Sequence, residues 1–190
     1  RDAMLQSEVY YRKTQFPTHL LATFPAVNGR SCIVVGTPEN TSKHSTAWIM
    51  TLLHEHFHQY QQASPDYYAS IEALNLSGGD QTGMWMLNYP FPYEDEVIRK
   101  QYKSYTHALH NAITGTKVKN KPSLLKRYLT EREKLKKLLS PADYRYFSFQ
   151  IWQEGLAKYT EYSFLRLLGD YNPSLEVRNL PDYVPFPTFE

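Results

Sequence analysis

The residues that carry chemistry in this chain are His54-Glu55-His56-Phe57-His58, a His-Glu-x-x-His pattern. Its spacing has a physical reason if the segment is helical. At about 100° per residue, positions four apart lie roughly 40° from each other, so His54 and His58 present both imidazoles to one cation. Glu55 can lean toward a metal-bound water without occupying a coordination position, which is the place of a general base. His56 lies roughly 200° from His54 and falls outside such a site, so it packs or makes a hydrogen bond of its own. The competing reading is a His-rich amphipathic helix with no metal. Chance produces the pattern in roughly one chain in a hundred of this length, which decides for zinc.

A hydrolytic zinc site needs three protein ligands and one open position for water. The common extension, a Gly and then a third His on the same stretch, is absent, because Gln61 and Ser64 stand at those positions. The single Cys32 rules out a Cys-based zinc site and an intramolecular disulfide. The third ligand must come from elsewhere, and the best candidate is Glu154. It is followed by Gly155, which costs about 1 kcal/mol in a helix interior and so calls for a packing reason, such as another backbone coming close. Glu161, seven residues on, returns to nearly the same face and can hold a ligand histidine through its second nitrogen. Glu72 is the rival third ligand, 14 residues after His58.

Other titratable residues are better explained without a site. Asp66 and Asp80 sit in turn-like sequence. His107 and His110 read as surface or boundary histidines rather than a second metal pair. Tyr159 lies roughly 140° around the helix from Glu154 and is expected in the core. Lys158, about 40° from Glu154, can reach the site, although a solvated lysine is the commoner outcome.

Positioning these residues takes a small sheet and several helices. Residues 18–38 read as β, with apolar 19–24, the hairpin signal Asn28-Gly29, and β-branched 31–35 ending at Gly36 and Pro38. The helix carrying the histidines runs over about 45–62, with Met50, Leu53, Phe57 and Tyr60 as its expected buried stripe. Residues 66–76 read as a short helix, broken by Gly78, Gly79 and Gly83, and Tyr89-Pro90-Phe91-Pro92 as an extended linker. Residues 93–113 read as a helix with Val97, Tyr105, Leu109 and Ala112 inward. Lys117 to Lys121 is a basic exposed loop, and 123–139 an amphipathic helix whose charge is a solvated face. Ser140-Pro141-Ala142-Asp143 is a strong start for a helix over about 141–168 that closes at Gly169. Trp48, Trp85, Met84 and Met86 read as core or groove lining. The tail, with Pro173, Pro181, Pro185 and Pro187, is irregular.

His54-Glu55-x-x-His58 together with Glu154-Gly155-x-Ala157-x-Tyr159-x-Glu161 resembles the gluzincin metallopeptidases, which include thermolysin-like and aminopeptidase-like enzymes. The resemblance implies an α+β, mostly helical zincin-like domain with a small N-terminal β-sheet whose edge strand holds the substrate backbone. It implies one Zn²⁺ per chain held by His54, His58 and Glu154, with Glu55 as general base and a peptide or protein as substrate. Ile33-Val34-Val35-Gly36 would belong to the sheet, near its substrate edge. Because 95 residues lie between His58 and Glu154, the helices within 93–139 would form an insertion that leaves the site intact.

Composition narrows the remaining classes. The 190 residues suit one domain, and 42% apolar with 21% charged residues is ordinary globular usage. A formal charge of +2 offers no electrostatic case for nucleic acid. Aromatics at 15%, with 16 Tyr, suggest a core and grooves lined by rings with polar tips. No apolar run approaches the roughly 20 residues of a membrane span. Arg1 as the first residue, without a basic-then-apolar leader, leans toward an exported, processed chain. Two alternatives to the peptidase stay open: a degenerate zincin-like domain acting as a binding module, and a helical interaction domain with no metal.

Overall fold

The computed structural model describes residues 6–9, 13, 16–80, 82–115, 120–169 and 175–180. Most of the expected basic loop, residues 117–119, and Pro173, Pro181, Pro185 and Pro187 of the tail lie outside the described residues. The elements run β1 (Leu21–Val27), β2 (Arg30–Val35), α1 (Ser45–Gln62), α2 (Tyr67–Glu72), α3 (Trp85–Asn88), α4 (Glu96–Thr114), α5 (Lys121–Leu138), α6 (Pro141–Gly169) and α7 (Leu175–Arg178). The class is α+β and mostly helical with a small two-stranded sheet, as the sequence indicates.

The sheet is an antiparallel hairpin. Asn28 and Gly29 take φ of 48° and 72°, the left-handed pair that suits a two-residue turn between twisted strands. Leu21 pairs with Val35 and Phe24 with Cys32, after which the register shifts between Phe24 and Val27. Pro25 sits in that shift, where its missing N–H removes nothing from the ladder. At the exit of β2, the Gly36 N–H donates to the Leu20 carbonyl at 2.8 Å and the Trp48 indole N–H donates to the Gly36 carbonyl at 2.7 Å. A side chain at Gly36 would run into the Thr18 backbone carbonyl.

Helix α1 spans the expected residues but buries a different face. Its buried residues are Met50, Glu55, His58, Gln61 and Gln62. Leu53 and Phe57 are half-buried, and Tyr60 is 73% exposed. The polar face is turned inward because each polar group finds a partner far away in sequence, as Gln62 Nε2 does on the Thr23 carbonyl at 2.8 Å.

Helix α6 is the element on which the rest is hung. Its Ser140 Oγ accepts from the Asp143 N–H at 3.1 Å and donates to the Asp143 carboxylate at 2.6 Å, a reciprocal start at the expected place. Tyr146 and Phe149 join Tyr67 and Ile71 of α2 and Trp85 of α3 in one aromatic cluster. Tyr144 and Phe147 pack against a second cluster of Tyr105, Leu135 and Leu139, which binds α4 and α5 to α6. On α4, Tyr105 and Ala108 are buried, Leu109 and Ala112 are half-buried, and Val97 is 61% exposed against expectation. Helical pitch explains this: Ile98 lies about 20° around the helix from Tyr105 and packs against the same cluster, whereas Val97 lies about 80° away. The Asp95 carboxylate caps the helix by accepting from the N–H groups of Val97 and Ile98 at 2.9 and 3.1 Å, which sets its start later than expected. Helix α2 is shorter than the expected 66–76 and is followed by Asn75 at a φ of 52°.

Gly36→Ala is expected to destabilise the chain by about 1–3 kcal/mol, the usual cost of forced overpacking. Chemical denaturation measures this, and an unchanged midpoint would show that Thr18 yields without cost.

Candidate metal centre

Helices α1 and α6 pack with their chemistry-bearing faces together. His54 and His58 come from one, Glu154 and Glu161 from the other. His54 Nε2 stands 3.1 Å from His58 Nε2, and each is 3.3 Å from Glu154 Oε2. A tetrahedral zinc with ligand bonds of about 2.0–2.1 Å holds its ligand atoms about 3.3–3.4 Å apart. The three atoms therefore mark one face of such a tetrahedron. Among the described residues, His54, His58 and Glu154 are the group whose spacing suits a metal ion. Glu154 is half-exposed, so the site opens to solvent.

Each imidazole is oriented through its other nitrogen. His58 Nδ1–H donates to Gln61 Oε1 at 2.8 Å, and Gln61 Nε2 in turn donates to the Gln153 carbonyl at 3.2 Å. The Tyr67 hydroxyl donates to Gln153 Oε1 at 3.0 Å. His54 Nδ1 faces Glu161 Oε2 at 3.4 Å. With Nδ1 as the donor on both rings, both Nε2 lone pairs turn to the common point. Glu161 thus lies where the sequence puts it. Gln61 and Gln153 were not anticipated as supports, although Gln61 stands three residues after His58 on a helix and its contact is a local one.

The charges agree with this geometry. Burial disfavours a charged His54 ring, yet hydrogen bonds to Glu154 and Glu161 and the charge of Glu55 outweigh it and push the pKa up to about 9. His58 is also raised, burial being overcome by Glu154 and Gln61. Burial would lift Glu154, but the two imidazoles hold it down to about 2. Glu161 is lowered against its burial by His54 and Lys158. The cluster favours positive charge where its three atoms meet, and a proton and a divalent cation compete for that place.

Glu55 is buried, and its Oε2 accepts from the Thr23 hydroxyl at 2.9 Å. The same hydroxyl lies 2.8 Å from the Glu55 backbone carbonyl. Strand β1 thereby fixes the carboxylate beside the histidines. No local pattern ties Thr23 to Glu55, which is 32 residues away. Glu55, His58 and Glu154 border one cleft of about 800 Å³. Its walls come from Leu21 to Phe24 of β1, from Met84 and Met86 around α3, from Ile98 and Tyr102 of α4, and from Phe147 and Gly155 of α6.

Several expectations are corrected here. The strand lining the cleft is β1, whereas Ile33-Val34-Val35 lie in β2 on its far side. Helix α4, within the expected insertion, leaves the His54, His58 and Glu154 cluster intact and adds a wall to the cleft. A Cβ at Gly155 would meet nothing within 4 Å, so no backbone approaches there, and the glycine instead lines the cleft next to Glu154. Tyr159 is 62% exposed rather than core, because the buried stripe of α6 runs through Gln153, Ala157 and Glu161. Glu72 is exposed on α2 and stands apart from the cluster. His56 is exposed and bonded to Gln59 at 3.3 Å. Asp80 holds the N–H groups of Thr82 and Trp85, both at 2.7 Å, which is turn chemistry as expected. His107 is exposed and His110 half-buried.

Comparison with protein-family models, with curated proteins and with solved structures finds no match. The functional reading therefore rests on the residues and their geometry.

Gly155→Ala is expected to stabilise the folded chain by about 0.5–1 kcal/mol, since it adds helix propensity and meets no neighbour. Thermal unfolding tests this, and a lowered midpoint would reveal a contact at that position.

Proposed function

We propose that this chain is a zinc-dependent peptidase. The observation that supports this best is the triangle of His54 Nε2, His58 Nε2 and Glu154 Oε2, with the Glu55 carboxylate held beside it at the wall of an 800 Å³ cleft. Two imidazoles and one carboxylate are a donor set that zinc accepts in hydrolytic sites. A bound zinc would lower the pKa of its water toward 7 and polarise the scissile carbonyl.

The chain's own residues do the rest. Thr23 occupies Glu55 Oε2, so the other carboxylate oxygen is the one to take the proton from the attacking water. Water adds to the carbonyl carbon, the C–N bond breaks, and Glu55 returns that proton to the leaving amine nitrogen. Gln61 and Glu161 keep the imidazoles in place throughout. The substrate lies along β1, and the apolar walls around Met86, Phe91 and Phe147 bury its side chains.

Protein purified without added zinc is expected to carry about one zinc per chain by elemental analysis and to cleave members of a mixed peptide library, read by mass spectrometry. Glu55→Gln is expected to keep the zinc and to lower turnover by about 10² to 10⁴. Cleavage by that variant at the wild-type rate would remove Glu55 from its role. Zinc without any cleavage would favour the binding-module reading, and absence of zinc would favour the metal-free helical one. Gln61→Leu is expected to weaken zinc binding about 10- to 100-fold, measured by competition with a chromogenic chelator. An unaltered affinity would show that His58 is oriented without Gln61.

A further inference from the structure

The cleft beside the metal triangle is walled mostly by apolar side chains, and its polar groups largely answer one another. The Tyr146 hydroxyl donates to the Met86 carbonyl at 2.9 Å and accepts from Gln150 Nε2, also at 2.9 Å. Gln150 Nε2 reaches the same carbonyl at 2.7 Å. Charge is sparse there. Besides His58, the acidic and basic side chains that border the cleft among the described residues are Glu55, Glu154, Lys158 and Arg99. The two acids belong to the metal centre, and the Lys158 ammonium stands 3.1 and 3.2 Å from the two Glu161 oxygens. Arg99 comes from α4 and takes part in neither arrangement.

Arg99 is loosely engaged. Its Nη1 stands 3.4 Å from Glu94 Oε2, on a carboxylate whose side chain is 93% exposed. A solvated pair of that kind holds neither partner firmly. The guanidinium meets no other side chain among the described residues. It carries five N–H donors in a planar fork that matches a carboxylate through two parallel bonds, and Glu94 meets only one nitrogen of that fork. Of the charged residues between 94 and 103, Arg99 is the one that borders the cleft.

Helical pitch locates the α4 wall. Tyr102 lies three residues after Arg99 on the same side of α4, and its ring meets Phe147 edge-on with centroids 6.1 Å apart. Phe147 and Glu154 both belong to α6, two turns apart, which is about 10 Å along the axis. An extended peptide covers that distance in about three residues. A substrate whose reacting carbonyl sits at the metal triangle therefore brings a group about three residues away to the wall that carries Arg99. Apolar side chains suit the neighbouring walls, whereas a guanidinium is matched by an anion, and the anion that an unmodified peptide carries is a carboxylate.

Resting on the peptidase reading, we propose that Arg99 is a specificity-determining residue that binds a carboxylate of the substrate about three residues from the scissile bond. A peptide supplies that group from its C-terminus or from an Asp or Glu side chain, and both make the same fork-to-carboxylate contact. The incoming carboxylate displaces Glu94, which returns to water at little cost.

The test starts from a peptide that the wild-type chain cleaves. Gln, Glu and Lys are placed in turn at successive positions on either side of the scissile bond, each peptide being made with a free and with an amidated C-terminus. kcat and KM are measured for the zinc-loaded wild type, Arg99→Gln, Arg99→Lys and Arg99→Glu. Wild type is expected to show a KM about 10-fold lower for a carboxylate about three residues away than for its neutral counterpart. A preference lost on amidation assigns the contact to the terminus, and one that follows Glu over Gln assigns it to the side chain. Arg99→Gln is expected to lose the preference, Arg99→Lys to keep part of it, and Arg99→Glu to turn it toward Lys. Equal KM values for charged and neutral peptides in wild type, or a preference that survives in Arg99→Gln, would overturn the assignment and leave the peptidase reading intact. Wild-type protein that cleaves no peptide would end both readings together.

Discussion

The meeting of two imidazole nitrogens and a carboxylate oxygen between α1 and α6, all within 3.3 Å of one another, constrains most of the structure around it. Two lone pairs at that distance repel unless positive charge lies between them, and the half-exposed Glu154 carboxylate is drawn to the same charge. Holding them there demands a helix interface that is polar rather than oily. Glu55, His58, Gln61, Gln62, Gln153 and Glu161 are all buried across or beside it. Each of these side chains has a hydrogen-bond or ion-pair partner. Ser31 Oγ is the buried side-chain polar atom without one among the described residues.

Such an interface contributes little net stability, because its hydrogen bonds replace those made with water. Cohesion has to come from elsewhere, and the aromatic clusters supply it. Tyr67, Trp85, Tyr146 and Phe149 pack on one side of α6, while Tyr105, Leu135 and Phe147 bind the α4–α5 pair on another. The two jobs are divided along a single helix. The N-terminal half of α6 is anchored by rings, and from Gln153 onward its inward face carries Glu161 and the supports of the candidate metal cluster beside buried Ala157, Tyr162 and Leu165. The same rings also finish the cleft, since Tyr146 and Phe147 are core residues on one side and wall on the other.

Much of this was legible locally. The positions of α1, α5 and α6, the turn at Asn28 and Gly29, and the start of α6 at Ser140 follow from caps, breakers and backbone preferences that act within a few residues. The pitch of a helix likewise puts His54 and His58 on one face, and Glu154 and Glu161 on another. The misread face of α1 has one cause. Hydrophobic periodicity assumes that apolar residues point inward, which places Tyr60 in the interior, and it lies exposed. Where buried polar groups are satisfied by distant partners, that assumption inverts. Tyr159 failed for a related reason: the inward stripe of α6 is set by its packing against α1, which no spacing within α6 reveals.

The sequence by itself determined the donor types, their one-turn spacing and the helices that carry them, because these depend on covalent order and helical pitch alone. Only the tertiary structure decided that Glu154 rather than Glu72 meets the histidines, since closing a loop of 95 residues is a matter of packing and leaves no local trace. The same holds for Thr23 on Glu55, for β1 rather than β2 along the cleft, and for the open space at Gly155. Each depends on which surfaces come together, and that choice belongs to the whole chain.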